Sequence, residues 1–268
     1  MILDGAEALA AEIPDGAQLA IPTSRSGVAM AVTRALIARG VGGLHLVAIP
    51  TSGIQADMLI GAGCVAVMES AGVTLDEEGQ APRFVAAVKA GEITLRDSTC
   101  PAIVSALQAG EKGVPFLPMR GLIGSDLLAR RPDYRVIDNP MTEGEDPIVL
   151  LPAIRPDIAL FHAPLADRAG NVWIGAMREL MTMAHAARRC LVSVESFFEG
   201  DLMADPLRAP ATVPALYVSA LAEVPRGAWP LALEGAYGAD RAALAGYARA
   251  ARSAEGFAAW LAQPLAAQ

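Results

Sequence analysis

Hydroxyl side chains and an arginine directly follow the first apolar run of the chain. They form a turn between the strand-like residues 18–21 and the helical pattern at 27–39, and the turn contains Thr23, Ser24, Arg25, Ser26 and Gly27. A strand-to-helix turn presents unpaired backbone N–H groups and the positive end of the helix dipole, which together attract phosphate or carboxylate groups. The alternative is a helix cap, in which Ser24 or Ser26 simply starts the helix. The turn is therefore a candidate ligand-binding loop.

A second segment with glycine turns spans residues 115–127. It starts like a strand, and its polar and flexible positions are Arg120, Gly121, Gly124, Ser125 and Asp126. Glycine has no side chain, so the backbone at these positions can approach a bound molecule closely. An ordinary loop that ends in an aspartate cap is the alternative interpretation.

Two further side chains have the chemistry of a nucleophile. Glu69 lies at the end of a predicted strand, and a partly desolvated carboxylate near an acyl group can attack it. Most glutamates at strand ends are simply solvated, which is the alternative for Glu69. Cys100 lies at a predicted helix start, where thiols can be activated. No histidine is near Cys100 in the sequence, and many cysteines serve packing alone.

A turn signal follows one of the later apolar strands. His162 ends that strand, and Asp167, Gly170 and Asn171 follow in a pattern typical of a tight turn. The same segment could instead line a cleft, because ligands of open α/β sheets bind beyond the carboxyl ends of the strands.

Apolar runs and helical patterns alternate along the chain and predict the elements that position these residues. Helices are predicted at 5–12, 27–39, 54–60, 81–89, 101–112 and 176–188, with two more between 240 and 265. Strands are predicted at 18–21, 44–49, 64–68, 92–95, 147–151, 158–162, 190–194 and 213–221, with a loop region at 119–147. Strands that are apolar throughout favour one α/β domain over 1–268, with an open, mainly parallel sheet and helices on both faces.

Composition and charge exclude several classes of protein. The net charge is −8, from 21 basic and 29 acidic residues, and no dense Lys/Arg cluster suggests a nucleic-acid surface. No apolar run reaches the roughly 18 residues that a membrane-spanning helix needs. The acidic first residues do not resemble a secretory signal. The cysteines and histidines are widely spaced, so we expect no metal site, and reduced thiols in the cytoplasm.

Five segments, taken in order, carry a resemblance to a known family. They lie at 59–63, 81–84 with 90–91, 114–126, 162–171 and 223–230. The third contains Pro-Phe-Leu-Pro at 115–118 followed by Gly-Ser-Asp at 124–126, and the fifth contains Val-Pro-Arg-Gly-Ala-Trp-Pro. Together these segments resemble the α subunit of glutaconate CoA-transferase and of related family I CoA-transferases.

The resemblance implies a fold, an activity and a partner. It implies the NagB/RpiA/CoA-transferase-like α/β fold and a ping-pong transfer of coenzyme A between carboxylic acids, with CoA or acyl-CoA as substrate and no permanently bound cofactor. In the family, the catalytic glutamate belongs to a Ser-Glu-Asn-Gly motif of a homologous β subunit, and this motif is missing here. An α2β2 assembly is therefore implied, with Glu69 as the candidate within this chain. The residues implied to contact CoA are Thr23, Ser24, Arg25, Ser26, Gly27, Arg120, Gly121, Gly124 and Ser125.

Two other functions remain open at this point. Relatives on the same scaffold are hydrolases that open a ring in a steroid-derived CoA thioester with a glutamate of the α subunit. The corresponding position here is near Cys100, and the nearest carboxylate is Asp97. The scaffold also resembles sugar-phosphate-binding regulator domains, which would make the chain a non-enzymatic ligand sensor. The lack of a DNA-binding helix pair and of basic charge disfavours the sensor.

Overall fold

Helices and strands alternate along the chain, as the sequence predicts. The computed structural model describes residues 1–25 and 27–263. The strands are β1 (Ile2–Leu3), β2 (Gln18–Pro22), β3 (Leu44–Ile49), β4 (Val65–Ser70), β5 (Thr94–Asp97), β6 (Phe116–Met119), β7 (Arg135–Asp138), β8 (Pro147–Pro152), β9 (Ile158–Asp167), β10 (Val172–Trp173), β11 (Arg189–Phe198), β12 (Thr212–Val213) and β13 (Ala220–Glu223). The helices are α1 (Gly5–Ala11), α2 (Met30–Arg39), α3 (Ile54–Gly61), α4 (Pro82–Ala90), α5 (Cys100–Lys112), α6 (Leu127–Arg130), α7 (Glu179–Ala186), α8 (Arg241–Ala250) and α9 (Ala254–Leu261).

The main sheet is parallel along its path of neighbouring strands, β1-β13-β11-β9-β2-β3-β4-β5. The short strands β10 and β12 add to it in antiparallel orientation. Because parallel strands point the same way, their carboxyl ends lie together, at what we call the carboxyl end of the sheet. The chain continues from β2 to β3 on one side and from β9 to β11 on the other. The boundary between β2 and β9 is therefore a switch point, where open α/β sheets bind ligands.

Apolar side chains on both faces of the sheet are buried under helices. One core lies under α5 and α7, and its helical members are Ala102, Ile103, Ala106, Leu107, Leu180, Met183, Ala184 and Ala186. The other lies under α1 to α4, and its helical members are Ala6, Leu9, Ala10, Val32, Leu36, Ala56, Leu59, Ile60 and Ala87. A third cluster packs α8 and α9 against α2 and α3 through Tyr247, Phe257 and Trp260. The predicted parallel sheet with helices on both faces is confirmed.

Glycine ends helix α2 where the sequence predicts a stop. Gly40 has φ 72°, in the left-handed region, and its N–H bonds to the carbonyl oxygens of Leu36 and Ile37. A residue without a Cβ atom adopts this conformation at little cost, so the chain turns there toward β3.

The structure differs from the predicted elements in two regions. The predicted loop at 119–147 contains α6 and β7, and β7 belongs to a separate antiparallel sheet of order β6-β8-β7 that contacts α5. The apolar run of β7 is too short to give a periodic signal. The predicted strand at 213–221 is divided into β12 and β13 by a 3-10 turn at Ala215–Tyr217, after Pro214, which lacks the N–H that a sheet needs. The end of the predicted tail helices, beyond residue 263, lies outside the described residues.

Candidate functional site at the carboxyl end of the sheet

The 23–27 loop lies at the switch point between β2 and β9. The carbonyl oxygen of Gly27 accepts a hydrogen bond from the backbone N–H of His162 at 2.7 Å. Gly27 has φ +66°, and a Cβ atom there would lie 2.1 Å from the His162 carbonyl oxygen. The loop therefore requires glycine at this position, because it packs directly against β9. Ser26, which the sequence also predicts in this loop, lies outside the described residues.

A cavity of ≈ 490 Å³ opens beside this loop. Ser24 and Arg25 line it, together with residues that follow β3, β4 and β13. Its apolar lining residues are Ile54, Leu75, Leu231, Leu244 and Tyr247, and its acidic ones are Asp76, Glu77, Glu78 and Glu234. Glu77 forms an ion pair with Arg241, which also lines the cavity. Two of the predicted binding residues thus face a space of ligand size whose charged lining is mainly acidic.

A largely buried carboxylate that the sequence analysis did not select, Glu195 on β11, lies near the same switch point. Its Oε1 accepts hydrogen bonds from His162 Nε2 at 2.8 Å and from the Tyr237 hydroxyl at 2.6 Å. Its Oε2 accepts a hydrogen bond from the backbone N–H of Arg226 at 2.8 Å. Donors from three separate parts of the chain therefore converge on this carboxylate.

These donors set the ionisation of Glu195. Burial would raise the pKa of its carboxyl, but the hydrogen bonds from His162, Tyr237 and the Arg226 backbone outweigh burial and hold the pKa below its ordinary value. Burial, and the hydrogen bond donated to Glu195, raise the pKa of the Tyr237 phenol. At neutral pH Glu195 is therefore a carboxylate and Tyr237 a neutral hydrogen-bond donor.

His162 connects Glu195 to Ser193. Its Nε2 donates to the carboxylate, and its Nδ1 lies within hydrogen-bond distance of the Ser193 hydroxyl, 2.8 Å away. A serine, a histidine and a carboxylate in series can activate the serine for attack. Ser193, however, is 0% exposed, so a substrate cannot reach it. The series of hydrogen bonds serves to hold the site in place.

The His162 ring also contacts the loop that follows β13. A Cβ atom at Gly227 would lie 2.5 Å from His162 Cε1, so the backbone packs closely against the ring. The Gly227 carbonyl oxygen accepts a hydrogen bond from the N–H of Ala31 in α2 at 2.9 Å. Gly27 and Gly227 therefore bring two loops together on His162. One sequence signal could have identified Glu195 as a site residue. Ser193 and Glu195 are two positions apart in β11, which places both side chains on one face of the strand.

The phenol of Tyr237 is expected to stabilise the chain through its bond to the ionised Glu195. We expect Tyr237→Phe to lower the free energy of unfolding by about 1.5–3 kcal/mol, as for other hydrogen bonds to charged groups. Urea unfolding followed by circular dichroism measures this change. Tyr217→Phe is the matched control, because Tyr217 is 38% exposed, and an equal loss in both variants would contradict the role of the bond.

Glu69, at the end of β4, lies in a cluster of charges. Its Oε1 accepts a hydrogen bond from Arg131 NH2 at 2.8 Å, and its Oε2 lies 3.1 Å from His45 Nε2 and 3.3 Å from Arg96 Nε. Glu69 is 2% exposed. Burial would raise the pKa of its carboxyl, but the hydrogen bond from His45 and the charges of Arg131 and Arg96 outweigh burial and lower it.

These contacts favour a structural role for Glu69. A nucleophilic carboxylate needs an oxygen that faces the acyl group, whereas both oxygens of Glu69 face cationic or donor groups. Arg131 also donates to the carbonyl oxygen of Asp97 at 3.1 Å and to Asp133, so the cluster ties β4 and β5 to the segment after α6. The geometry does not support Glu69 as the attacking group.

The second predicted binding segment lies in a different part of the fold. Residues 120–125 follow β6 in the antiparallel sheet, and Gly121, Gly124 and Ser125 are exposed there. Arg120 donates through Nε and NH2 to the two oxygens of Asp146, at 2.9 and 2.6 Å. Hydrogen bonds from Arg120 lower the pKa of Asp146. The hydrogen bonds described for residues 120–125 do not join them to the described residues of the 23–27 loop.

The segment at 167–171 forms the turn that its sequence predicts. The Asp167 carboxylate accepts hydrogen bonds from the backbone N–H of Asn171 at 3.0 Å, from Asn171 Nδ2 at 2.8 Å and from the N–H of Leu202 at 3.0 Å. Gly170 has φ +100°, which closes the hairpin between β9 and β10. The turn interpretation is confirmed, and the carboxylate is fully used within it.

Residues 1–25 and 27–263 contain neither a membrane-spanning helix nor a metal-binding cluster. In that range no helix has both the length and the apolar character needed to cross a bilayer. The same residues hold no group of three or more His, Cys, Asp or Glu side chains placed to bind a metal ion. The cysteines are free thiols, with Cys64 and Cys190 buried and Cys100 exposed at the start of α5.

The fold and the site together define the class of this protein. A parallel sheet with a switch point, two loops joined on a buried histidine and a cavity beside them make an open α/β enzyme scaffold. A sequence model described as "Coenzyme A transferase" matches residues 3–220. The chain is 31% identical over 262 residues to the A subunit of 3-oxoadipate CoA-transferase from Pseudomonas knackmussii, covering 95% of this chain and 90% of that protein. The chain belongs to the coenzyme A transferase family.

Other relatives and solved structures agree with this placement. Glutaconate CoA-transferase from Acidaminococcus fermentans superposes with a TM-score of 0.87 and 25% identity, covering 97% of this chain and 86% of that one. A variant of the decarboxylase AibA/AibB superposes with a TM-score of 0.83 and 28% identity, covering 98% of both chains. The cholesterol ring-cleaving hydrolase IpdA subunit of Rhodococcus jostii is 28% identical over 235 residues, covering 84% of this chain and 78% of that protein. The predicted relationship to CoA-transferase α subunits is confirmed, and the chain is a subunit of such an enzyme.

Proposed function

We propose that this chain is the α half of a cytoplasmic CoA-transferase whose nucleophilic glutamate lies in a homologous β subunit, in an α2β2 assembly. One observation carries this division of roles. The largely buried carboxylates described at the carboxyl end of the sheet, Glu69, Asp167 and Glu195, each have both oxygens in hydrogen bonds. A nucleophile needs an oxygen free to face the acyl carbon. The reacting carboxylate therefore comes from the partner.

The proposed reaction is a ping-pong exchange. The partner's glutamate attacks the carbonyl carbon of an acyl-CoA, and the C–S bond breaks. CoA leaves as a thiolate, and an acyl-glutamyl anhydride remains. The thiolate then attacks the glutamyl carbonyl and releases the first acid as a carboxylate. The resulting glutamyl-CoA thioester reacts with the second acid by the reverse steps. The covalent intermediates divide a difficult exchange into easier steps.

In this arrangement the 23–27 loop and the cavity beside it contact the acyl-CoA. Backbone N–H groups of a strand-to-helix loop can stabilise the oxyanion that forms at the acyl carbon. The apolar lining of the cavity suits an uncharged part of the substrate, whereas Asp76, Glu77 and Glu78 repel the CoA phosphates. The CoA phosphates therefore lie outside this cavity. Residues Arg120, Gly121, Gly124 and Ser125 stay candidate CoA contacts, which they would make once the partner completes the cleft.

The acids exchanged are proposed to be dicarboxylic. Two relatives are named for 3-oxoadipate and glutaconate, and both of these acids carry two carboxyl groups. Exposed arginines near the switch point, Arg25 among them, are suited to a second carboxylate.

Native mass spectrometry of the tagged chain, purified from its own cells before and after addition of an acyl-CoA, tests this proposal. We expect a second chain of similar size to accompany it and to gain a CoA-sized, borohydride-sensitive adduct. Peptide mapping then locates the modified residue. An adduct on a glutamate of the partner supports the division of roles, and one on Glu69 or Glu195 overturns it. A chain that runs alone and forms no adduct overturns the proposal as a whole.

The same complex distinguishes transfer from hydrolysis. With no acceptor acid, a transferase holds its CoA adduct, and a hydrolase of the thioester bond releases free CoA continuously. A hydrolase that opens a ring of the acyl group forms no CoA adduct and releases no CoA. A ring-opening hydrolase of the proposed alternative kind would need a carboxylate of this chain near Cys100. The sequence near Cys100 holds no glutamate at that position, and the nearest carboxylate is that of Asp97. We therefore place transfer ahead of hydrolysis and of ligand sensing without catalysis.

A further inference from the structure

Arg226 has a backbone conformation that residues with a side chain rarely adopt. Its φ is 57°, in the left-handed region. Such a conformation is costly and persists where the surroundings fix it, which happens most often at functional sites. Here the bond from the Arg226 N–H to Glu195 Oε2 fixes it, at 2.8 Å. Arg226 is therefore held in a defined place by the largely buried carboxylate beneath it.

The guanidinium group of Arg226 is also held in place. It lies over the ring of Tyr237, with 5.3 Å between its Cζ atom and the ring centroid. The Tyr237 hydroxyl is fixed in turn, because it donates to Glu195 at 2.6 Å and accepts from the Ala228 N–H at 3.1 Å. Among the described residues no ion pair involves Arg226, although its side chain is exposed. The structure thus presents a preorganised cation whose hydrogen-bond donors are open to a ligand.

Arg226 lies next to the switch point at which the proposed reaction takes place. Its neighbour Gly227 packs against the His162 ring, and Gly27 packs against the His162 backbone. Arg25, two residues before Gly27, is exposed as well and lines the cavity. The loops that carry Arg25 and Arg226 therefore meet on His162, at the switch point of the sheet.

We propose that Arg226 binds an oxyanion of the substrate and thereby determines substrate specificity. The oxyanion is either the far carboxylate of a dicarboxylic acid or a phosphate of CoA, since a guanidinium group binds both through paired N–H donors. The inference rests on the proposed transferase function. It adds a specificity residue that lies in the Val-Pro-Arg-Gly segment at 224–227.

Steady-state kinetics of the complex with its partner test the proposal through Arg226→Gln and Arg226→Lys. The acceptors are a dicarboxylic acid and the monocarboxylic acid of equal length, and the donor is an acyl-CoA or its acyl-pantetheine analogue. If Arg226 binds the far carboxylate, Arg226→Gln lowers kcat/KM for the dicarboxylic acid about 10–100-fold and leaves the monocarboxylic acid unchanged. If Arg226 binds a phosphate, Arg226→Gln lowers kcat/KM equally for both acids, and this decrease disappears when acyl-pantetheine is the donor. Arg226→Lys, which keeps the charge, retains part of the activity in either case.

Arg168→Gln is the matched control. Arg168 is also exposed, and its guanidinium also lies over an aromatic ring, at 4.1 Å from the Phe197 centroid. An Arg226→Gln variant that matches Arg168→Gln with all four substrates overturns the inference, as does an equal loss with every substrate, which would indicate structural damage. The borohydride-sensitive adduct of the unmodified complex is measured first. Its absence refutes the proposed function, whereas its presence with an unaffected Arg226→Gln refutes only the role of Arg226.

Discussion

Glu69→Gln is expected to lower the free energy of unfolding of this chain by about 3–5 kcal/mol, as when one partner of a buried ion pair is removed. The side chains of Glu69 and Arg131 are each only 3% exposed. An amide in place of the carboxylate removes one of the two carboxylates that pair with Arg131, in a place that water hardly reaches. Thermal and urea unfolding, followed by circular dichroism, measure the loss.

The matched control is Glu92→Gln, which removes the same charge from an exposed residue before β5. The folded-state pKa of Glu69 lies below its ordinary value of about 4.3. Its contribution to stability is therefore complete above about pH 4.3 and is lost as the pH falls through the folded-state pKa. We expect the acid side of the stability profile to be flatter in Glu69→Gln. A variant that is fully stable but inactive would contradict the structural role and restore Glu69 as the nucleophile.

Gly27→Ala is expected to reduce kcat/KM of the complex by at least about 100-fold, since a displacement of about 1 Å in a catalytic loop can have this effect. A Cβ atom at this position would lie 2.1 Å from the His162 carbonyl oxygen, so either the 23–27 loop or β9 must move. The positive φ adds about 1–2 kcal/mol of backbone cost. Activity and melting temperature are measured together.

Gly40→Ala separates these two effects. Gly40 has nearly the same φ, +72°, but a Cβ atom there would meet no atom within 4 Å. This control carries the backbone cost without the collision, so we expect a modest loss of stability and unchanged activity. Equal activities of the two variants would show that the contact between the loop and β9 does not position the site.

The strands of the main sheet could be predicted because burial on both faces requires apolar side chains at nearly every position of a strand. A strand such as 44–49 must be apolar at nearly every position when helices cover both of its faces, and β3 has these bounds. The end of α2 at Gly40 could also be predicted, since a left-handed cap favours a residue without a Cβ atom. The 119–147 region was missed, because β7 is short and pairs in an antiparallel sheet with residues that carry no periodic pattern.

The sequence also predicted part of the candidate site. The 23–27 loop could be found because the chain must turn between a strand and a helix. Its hydroxyl and guanidinium groups commonly bind anions at such a turn. The sequence grouped residues 120–125 with this loop through the family resemblance. The structure places these residues after β6, where Arg120 is paired with Asp146, and their contact with CoA stays a prediction.

The sequence by itself determined the family, the alternation of strands and helices, and the position of the loop at the end of β2. Only the tertiary structure decided which carboxylates have both oxygens in hydrogen bonds. It also decided which exposed arginines form no ion pair among the described residues. Glu195 is 33 residues from His162 and 42 from Tyr237 along the chain, and they meet only because β9 and β11 pair with Ser193 opposite His162. Local patterns report the burial of a segment, whereas the partner of a polar group depends on strand register and on loops that pack from distant parts of the chain.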